Sequence, residues 1–161
     1  MTIKAGERIP DVVLTVMGKN GPESIKTSDY FKGRKIALFS VPGAFTPTCH
    51  AKHLPGFVEN YDALKAKGVD AVAVTAVNDV FTLDAWLEDR GARGKIDGLA
   101  DGSALLAKTM GLELDLTEYG LGLRGKRYSA VVNDGVVEWI NVEDNSSVTT
   151  VSSAEATLEK L

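Results

Sequence analysis

The sequence predicts an α/β fold built on a central mixed β-sheet. Short apolar runs at 35–41 and 69–77 have the length of buried strands, and each is followed by a segment with helical periodicity. Strands that alternate with helices favour parallel pairing through crossover connections. Asp134-Gly135 lies between two further apolar runs and is a strong signal for a two-residue hairpin turn, which adds antiparallel strands.

The first long helix is predicted from about Cys49 to Lys67. Apolar residues recur there at helical spacing, and a basic last turn precedes Gly68. Pro55 lies inside this helix and removes the bond that its N–H would donate to the Ala51 carbonyl. We therefore expect a kink near the start of the helix.

The remaining elements follow from the same signals. They are a helix opening at Asn78-Asp79, a strand at 99–101, a helix at 103–110, and hairpin strands at 129–133 and 136–142. Ser152 and Glu155 form a capping box that predicts a final helix to Leu161. No internal repeat or long linker divides the chain, so residues 1–161 are predicted to form one domain.

Composition narrows the possible functions. Apolar residues make up 44% of the chain and charged residues 25%, as in folded globular proteins. The net charge of −4 without clustered lysines and arginines argues against nucleic-acid binding and against an anionic membrane surface. The N-terminus has no apolar run of signal-peptide length, so we expect a cytoplasmic location unless a transit peptide preceded Met1.

The chain has a single cysteine, Cys49. It therefore has no intrachain disulfide and fits a reducing compartment, and the thiol is either buried filler or a reactive group. Its predicted place at a helix start favours the thiolate, which is the nucleophilic form. Thr46 offers a hydroxyl close by, and Pro42 and Pro47 stiffen the loop. The loop is predicted to hold an oxygen-bearing ligand against sulfur.

The segment Pro42-Gly43-Ala44-Phe45-Thr46-Pro47-Thr48-Cys49 resembles the Pro-x-x-x-Thr-x-x-Cys signature of peroxiredoxins. The segments 53–58, 77–79 and 120–124 are similar to the peroxiredoxin 5 (type II) subfamily, so the resemblance covers nearly the whole chain. It implies a thioredoxin-like fold, with helices on both faces of the sheet and an N-terminal β extension.

The resemblance also implies roles for the residues. Cys49 is the peroxidatic nucleophile, Thr46 orients the peroxide, Pro42 shields the pocket and Arg124 is the cation beside sulfur. Gly43, with Thr46, Cys49 and Arg124, binds the substrate, which is hydrogen peroxide or a small alkyl hydroperoxide. No metal or cofactor is implied beyond an external thiol reductant.

Resolution of the oxidised cysteine departs from that of some relatives. Those that resolve internally carry a second cysteine, and the aligned positions here are Val74 and Val151. A Cys49 sulfenic acid must then react with an external thiol before further peroxide overoxidises it. We expect glutathione, with or without glutaredoxin, first and thioredoxin second. The resemblance further implies a homodimer that packs through the loops around Phe45 and Arg124.

Several other functions fit the sequence less well. The 120–125 segment matches the glycine pattern of dinucleotide sites, but it leads into a strand rather than a helix. Cys49, His50 and His53 are of zinc-ligand type, but the chain has no further cysteine or histidine to complete a zinc site. A cysteine hydrolase would need a histidine from elsewhere in the fold, and both histidines lie beside Cys49.

Two rivals share part of the thiol chemistry. A thiol transferase normally uses a Cys-x-x-Cys motif, and Lys52 stands where the second cysteine of that motif would be, which disfavours this function. A redox sensor that passes its oxidation to a partner protein would share the first chemical step with the peroxidase, and the sequence does not exclude this function. His50 stands where related sequences usually carry a small polar residue; it is either a surface histidine or an influence on the thiol and on reductant docking.

Overall fold

The structure is a computed structural model that describes residues 1–161. The strands are β1 (Val13–Gly18), β2 (Gly21–Lys26), β3 (Lys35–Ser40), β4 (Ala71–Ala76), β5 (Ile96–Ala100), β6 (Glu113–Leu116), β7 (Gly122–Gly125), β8 (Tyr128–Asn133) and β9 (Val136–Val142). The α-helices are α1 (Thr27–Phe31), α2 (Leu54–Glu59), α3 (Tyr61–Ala66), α4 (Val80–Asp89), α5 (Leu105–Thr109) and α6 (Ala154–Leu158). A π-helix spans Cys49–His53 and a 3-10 turn spans Thr117–Tyr119. None of the helices has both the length and the apolar character needed to cross a bilayer.

The main sheet has the order β2-β1-β5-β4-β3-β8-β9 and confirms the predicted mixed, thioredoxin-like α/β fold. Strands β3, β4 and β5 are parallel, whereas β8 and β9 continue the sheet antiparallel from β3. The predicted N-terminal extension is the β1–β2 hairpin, which joins the sheet through Thr15 opposite Ala100. Asp134 and Gly135 both have positive φ, 49° and 81°, as the turn between β8 and β9 requires.

Helices cover both faces of this sheet. Successive strand residues point to opposite faces, so Phe39 packs into one core and Leu38 into the other. The core on the Cys49 side is filled from α2, α3, α4 and α6 by buried residues such as Phe57, Leu64, Leu83, Trp86 and Ala154. The opposite core is filled from α1 and α5 by residues such as Phe31, Leu106 and Met110. Cys49 therefore lies in a packed layer between the sheet and its helices.

The predicted helix from Cys49 to Lys67 is divided in the structure. Its first part is the π-helix, in which the N–H of Leu54 bonds to the Cys49 carbonyl. Pro55 follows immediately and has no N–H to donate to the fourth carbonyl back, so the wider turn takes up the mismatch. A second break occurs at Asn60, between α2 and α3. Where the sequence predicts a kink, the structure has a π-helical turn directly before Pro55, and the single continuous helix is wrong.

The cap of the last helix is also shifted from its predicted place. Ser153, not Ser152, accepts the bond from the N–H of Ala156 and begins α6. Ser152 is fully buried, and its hydroxyl donates instead to the carboxylate of Glu143 at 2.7 Å. The hydroxyl that the capping-box pattern assigned to the helix is therefore used in a tertiary contact.

A small second sheet places one of the predicted site residues. Strands β6 and β7 form an antiparallel ribbon in which Leu114 pairs with Arg124. Gly120 and Gly122 enter β7 with φ of 75° and 68°, which favours glycine. The glycine pattern thus serves a turn into a strand, as the sequence indicated, and no helix follows it.

Candidate active site

Cys49 lies where the loop after β3 turns into a helix. The loop spans 41–46, Pro47 and Thr48 already have helical conformation, and Cys49 is the first residue of the π-helix, with no exposed surface. Thr46 places its hydroxyl oxygen 2.9 Å from Cys49 Sγ and 2.6 Å from the Gly43 carbonyl oxygen. One hydroxyl hydrogen can serve only one of these acceptors at a time. Thr46 can therefore accept from a thiol or donate to a thiolate.

The guanidinium beside the sulfur belongs to Arg127, which corrects the expectation for Arg124. Arg127 directly precedes β8, is 1% exposed, and donates from Nη2 to Cys49 Sγ across 2.9 Å. Its Nε donates to the Ser146 carbonyl at 2.9 Å. Planar guanidinium geometry then directs the remaining donors along fixed lines.

Arg124 lies at the rim of the same site. Its Nη1 donates to the Pro42 carbonyl at 3.3 Å and its Nε to the Leu121 carbonyl at 2.8 Å, so neither of these bonds reaches sulfur. Arg124 is only half-buried, whereas Pro42 and Gly43 are buried. A Cβ placed on Gly43 would stand 2.9 Å from Arg124 Nη1 and 3.0 Å from Thr46 Cγ2. Gly43 therefore allows Arg124 and Thr46 to approach the loop closely.

His53 is a further member of the site that the sequence analysis did not assign. It is 1% exposed, with Nδ1 2.9 Å from Arg127 Nη1 and Nε2 2.9 Å from the Ser152 carbonyl. Arginine has no acceptor, so His53 must accept at Nδ1 and carry its hydrogen on Nε2. Burial, and then the charge of Arg127, lower the pKa of His53 to about 3. His53 is thus neutral, and both of its nitrogens are occupied within the protein, which leaves none to ligate zinc.

His50 contacts the helix layer and the active-site loop. Its Nδ1 accepts a bond from the indole N–H of the buried Trp86 at 3.2 Å. Its ring stacks on Phe45 with centroids 5.8 Å apart and an interplanar angle of 28°. Phe45 has a φ of 64° and is about half exposed, at 49%. His50 therefore links the active-site loop to the core.

Of the predicted residues, the structure brings Cys49, Thr46, Pro42 and Gly43 together and leaves Arg124 at the edge. The sequence analysis missed Arg127 and His53. The available signal for Arg127 was its place immediately before the apolar run of β8, where a charged side chain at the end of a buried strand calls for a partner.

Comparison with known proteins adds the family. A model described as Redoxin matches residues 4–158. The chain belongs to the redoxin family. Within that family it is 45% identical to peroxiredoxin-2E-2, chloroplastic, of Oryza sativa subsp. japonica, over 99% of this chain and 73% of the relative.

Solved peroxiredoxin structures are similar over almost the whole chain. Reduced Prx3 of Vibrio vulnificus in complex with H2O2 matches with a TM-score of 0.94 and 43% identity, covering 99% of both chains. The Plasmodium falciparum antioxidant protein, a 1-Cys peroxiredoxin, matches with a TM-score of 0.89 and 29% identity, covering 98% of both chains. This redoxin is therefore a peroxiredoxin, and its activity is that of a thiol peroxidase.

Proposed function

We propose that Cys49 reduces hydrogen peroxide and small alkyl hydroperoxides as a thiolate held by Arg127. The observation that carries this proposal is the isolation of the Arg127 charge. The guanidinium is buried, and no carboxylate lies in an ion pair with it, while its other two partners, His53 and the Ser146 carbonyl, are neutral. A buried charge without a counter-charge is costly. The Cys49 thiolate supplies the missing anion.

The first step is an in-line displacement on the peroxide. The thiolate attacks the nearer oxygen, the S–O bond forms and the O–O bond breaks. The electron pair leaves on the far oxygen, which takes a proton from solvent and departs as water or alcohol. Sulfur is oxidised by two electrons to a sulfenic acid, and the peroxide is reduced by the same two electrons.

The surrounding groups act on the charge that moves during this step. N–H donors that face both oxygens stabilise the transition state more than the ground state. Arg127 supplies them at the sulfur, and Arg124 supplies them at the rim. The Thr46 hydroxyl orients the peroxide, Gly43 lets Arg124 and Thr46 stand close to it, and Pro42 shields the sulfur from water.

We infer that an external thiol resolves the sulfenic acid. Both aligned positions are valines, Val74 buried in β4 and Val151 in the segment before α6, so neither offers a second thiol. A first glutathione displaces water to give a mixed disulfide, and a second releases Cys49 with glutathione disulfide. Glutaredoxin can take the second role, and thioredoxin is the alternative reductant. The likeness to a 1-Cys peroxiredoxin supports this scheme. It needs no other cofactor.

We also propose that the peroxiredoxin acts as a homodimer through the loops around Phe45 and Arg124. Large apolar side chains are exposed on these loops, among them Phe45 at 49% and Leu121 at 38%. Large apolar side chains exposed on loops beside an active site are consistent with a protein interface. Sedimentation as a pure monomer at micromolar concentration would contradict the dimer.

The test is peroxide consumption by wild type and by Cys49→Ser, with glutathione, glutaredoxin plus glutathione, and thioredoxin plus its reductase supplied separately. Wild type should turn over with at least one reductant, and Cys49→Ser should not. Equal consumption by the two proteins under all conditions would reject the peroxidase. Rapid oxidation of Cys49 without turnover by any thiol would instead favour a redox sensor.

A further inference from the structure

The segment between β9 and α6 touches the active site at three points. We call residues 145–152 the strap. The Ser147 carbonyl accepts from the Thr48 hydroxyl at 2.7 Å. The Ser146 carbonyl accepts from Arg127 Nε at 2.9 Å, and the Ser152 carbonyl contacts His53 Nε2 at 2.9 Å. The strap therefore supplies backbone oxygens rather than side chains to the site.

Glu143 fixes the strap from its root at the end of β9. It is 5% exposed. Its Oε2 accepts from the N–H of Thr150 at 2.7 Å, from the N–H of Ser152 at 2.8 Å and from the Ser152 hydroxyl at 2.7 Å. Its Oε1 accepts from the Thr150 hydroxyl at 3.0 Å. Burial pushes the pKa of Glu143 up, but these hydrogen bonds outweigh it and hold the pKa below its usual value.

The orientation of Arg127 depends on these contacts. Its Nε is directed by the Ser146 carbonyl, and its Nη1 by His53, whose ring is in turn directed by the Ser152 carbonyl. Because the guanidinium is planar, fixing two of its donor directions fixes the third, which points Nη2 at Cys49 Sγ. Both directing groups lie on the strap or are held by it.

We propose that Glu143 is a positioning residue for Cys49: by clamping the strap, it sets the acceptors that aim Arg127 at the sulfur. This inference rests on the proposed peroxidase function, because it assigns how the cation of that site is held. It predicts an effect on the thiolate as well as on the reaction.

The sign of the change in the Cys49 thiolate fraction distinguishes positioning by Glu143 from a direct electrostatic effect of its charge. Glu143 is an anion, so its removal, acting through charge alone, would favour the Cys49 thiolate. Loss of a correctly aimed Arg127 would disfavour the thiolate. A decrease in thiolate after removal of a carboxylate therefore has the sign that positioning requires.

The experiment compares Glu143→Ala, Glu143→Gln and the control Asp144→Ala. The glutamine is isosteric and keeps an acceptor for the Oε2 bonds, so it tests rescue. Asp144 is exposed, carries the same charge one residue along and makes none of the hydrogen bonds described above. The readouts are the ultraviolet absorbance of the Cys49 thiolate at neutral pH and the rate constant of Cys49 oxidation by hydrogen peroxide in a single turnover.

Glu143→Ala should lower the thiolate fraction and slow oxidation by about tenfold, on the scale seen when an outer partner that orients a reactive group is lost. Glu143→Gln should stay within about twofold of wild type, and Asp144→Ala should match wild type. A folded Glu143→Ala with unchanged or increased thiolate overturns the inference. So does an Asp144→Ala that loses as much as Glu143→Ala.

If Glu143→Ala does not fold, the Ser152→Ala variant tests the positioning role of Glu143 instead. It removes one hydroxyl donor to Glu143 and keeps the backbone bonds, and it should slow oxidation by about threefold; unchanged oxidation would overturn the inference. The thiolate readout does not depend on turnover. A wild type that fails to react with peroxide would reject the peroxidase, while the thiolate comparison would still decide the clamp.

Discussion

His53 and Arg127 are both buried and share a hydrogen bond of 2.9 Å that only a neutral imidazole can accept. The pairing leaves the guanidinium charge free for sulfur. It also makes the protonation of His53 incompatible with the folded site.

This incompatibility predicts a loss of stability in acid. The pKa of His53 falls from 6.5 in the unfolded chain to about 3 in the fold, so between these values the unfolded state binds a proton that the native state does not. Stability then rises with pH in this window and is lost as the pH falls from about 6.5 towards 3, at up to about 1.4 kcal/mol per pH unit. Urea unfolding of wild type and His53→Gln across the window measures it; equal slopes for the two proteins would contradict the prediction.

The two arginines of the site should contribute unequally to the rate of Cys49 oxidation. Arg127→Ala should slow oxidation of Cys49 by about 100-fold, because it removes the donor at sulfur, and Arg124→Ala by about tenfold. Arg127→Lys should recover little, since an ammonium cannot serve Cys49, His53 and the Ser146 carbonyl together. Stopped-flow oxidation under single-turnover conditions gives all three rates. A larger loss in Arg124→Ala than in Arg127→Ala would restore Arg124 as the main cation.

The bond from Trp86 to His50 should stabilise the active-site loop. His50→Leu leaves the buried indole N–H without an acceptor and should lower the free energy of unfolding by about 1–3 kcal/mol. His50→Gln keeps an acceptor and should lose less. Combining His50→Leu with Trp86→Phe in a double-mutant cycle should show a coupling of about 1 kcal/mol. Additive effects would mean that the bond contributes nothing.

Gly43 offers a test of space in the pocket. A methyl group at this position is too close to Arg124 and Thr46, which must shift by a few tenths of an ångström. We expect Gly43→Ala to slow oxidation by about three- to tenfold through misplacement of these groups. Gly56→Ala is the matched control, because its new Cβ meets nothing nearer than 4.0 Å. Equal oxidation rates in the two variants would contradict this prediction, because they would show that Arg124 and Thr46 can shift without slowing the reaction.

The sequence predicted those parts of the molecule that depend on local pattern. The run 35–41 became β3, the Asp134-Gly135 turn joined β8 to β9, and the motif around Cys49 marked the reactive loop. These signals work because strand length, turn chemistry and apolar period act over a few neighbouring residues.

What could not be predicted depends on partners distant in sequence. Arg124 and Arg127 lie three residues apart, and beyond the place of Arg127 beside the apolar run of β8, it is the contacts of Arg127 with residues 49, 53 and 146 that distinguish the buried arginine from the one at the rim. The local pattern around Ser152 is that of a helix cap, but its hydroxyl donates to the carboxylate of Glu143 instead. Local propensity gives way where a tertiary partner offers a better bond.

The complete burial of Cys49 has a kinetic consequence. Because this sulfur has no exposed surface, we expect a reactant to reach it only through a movement of the loop 41–46 or of the strap, so the size of each reactant should affect its rate. A peroxide needs a small opening and glutathione a larger one. We therefore expect reduction by glutathione to need a larger movement than oxidation by a peroxide, and we expect a bulky alkylating reagent to react slowly with the resting enzyme.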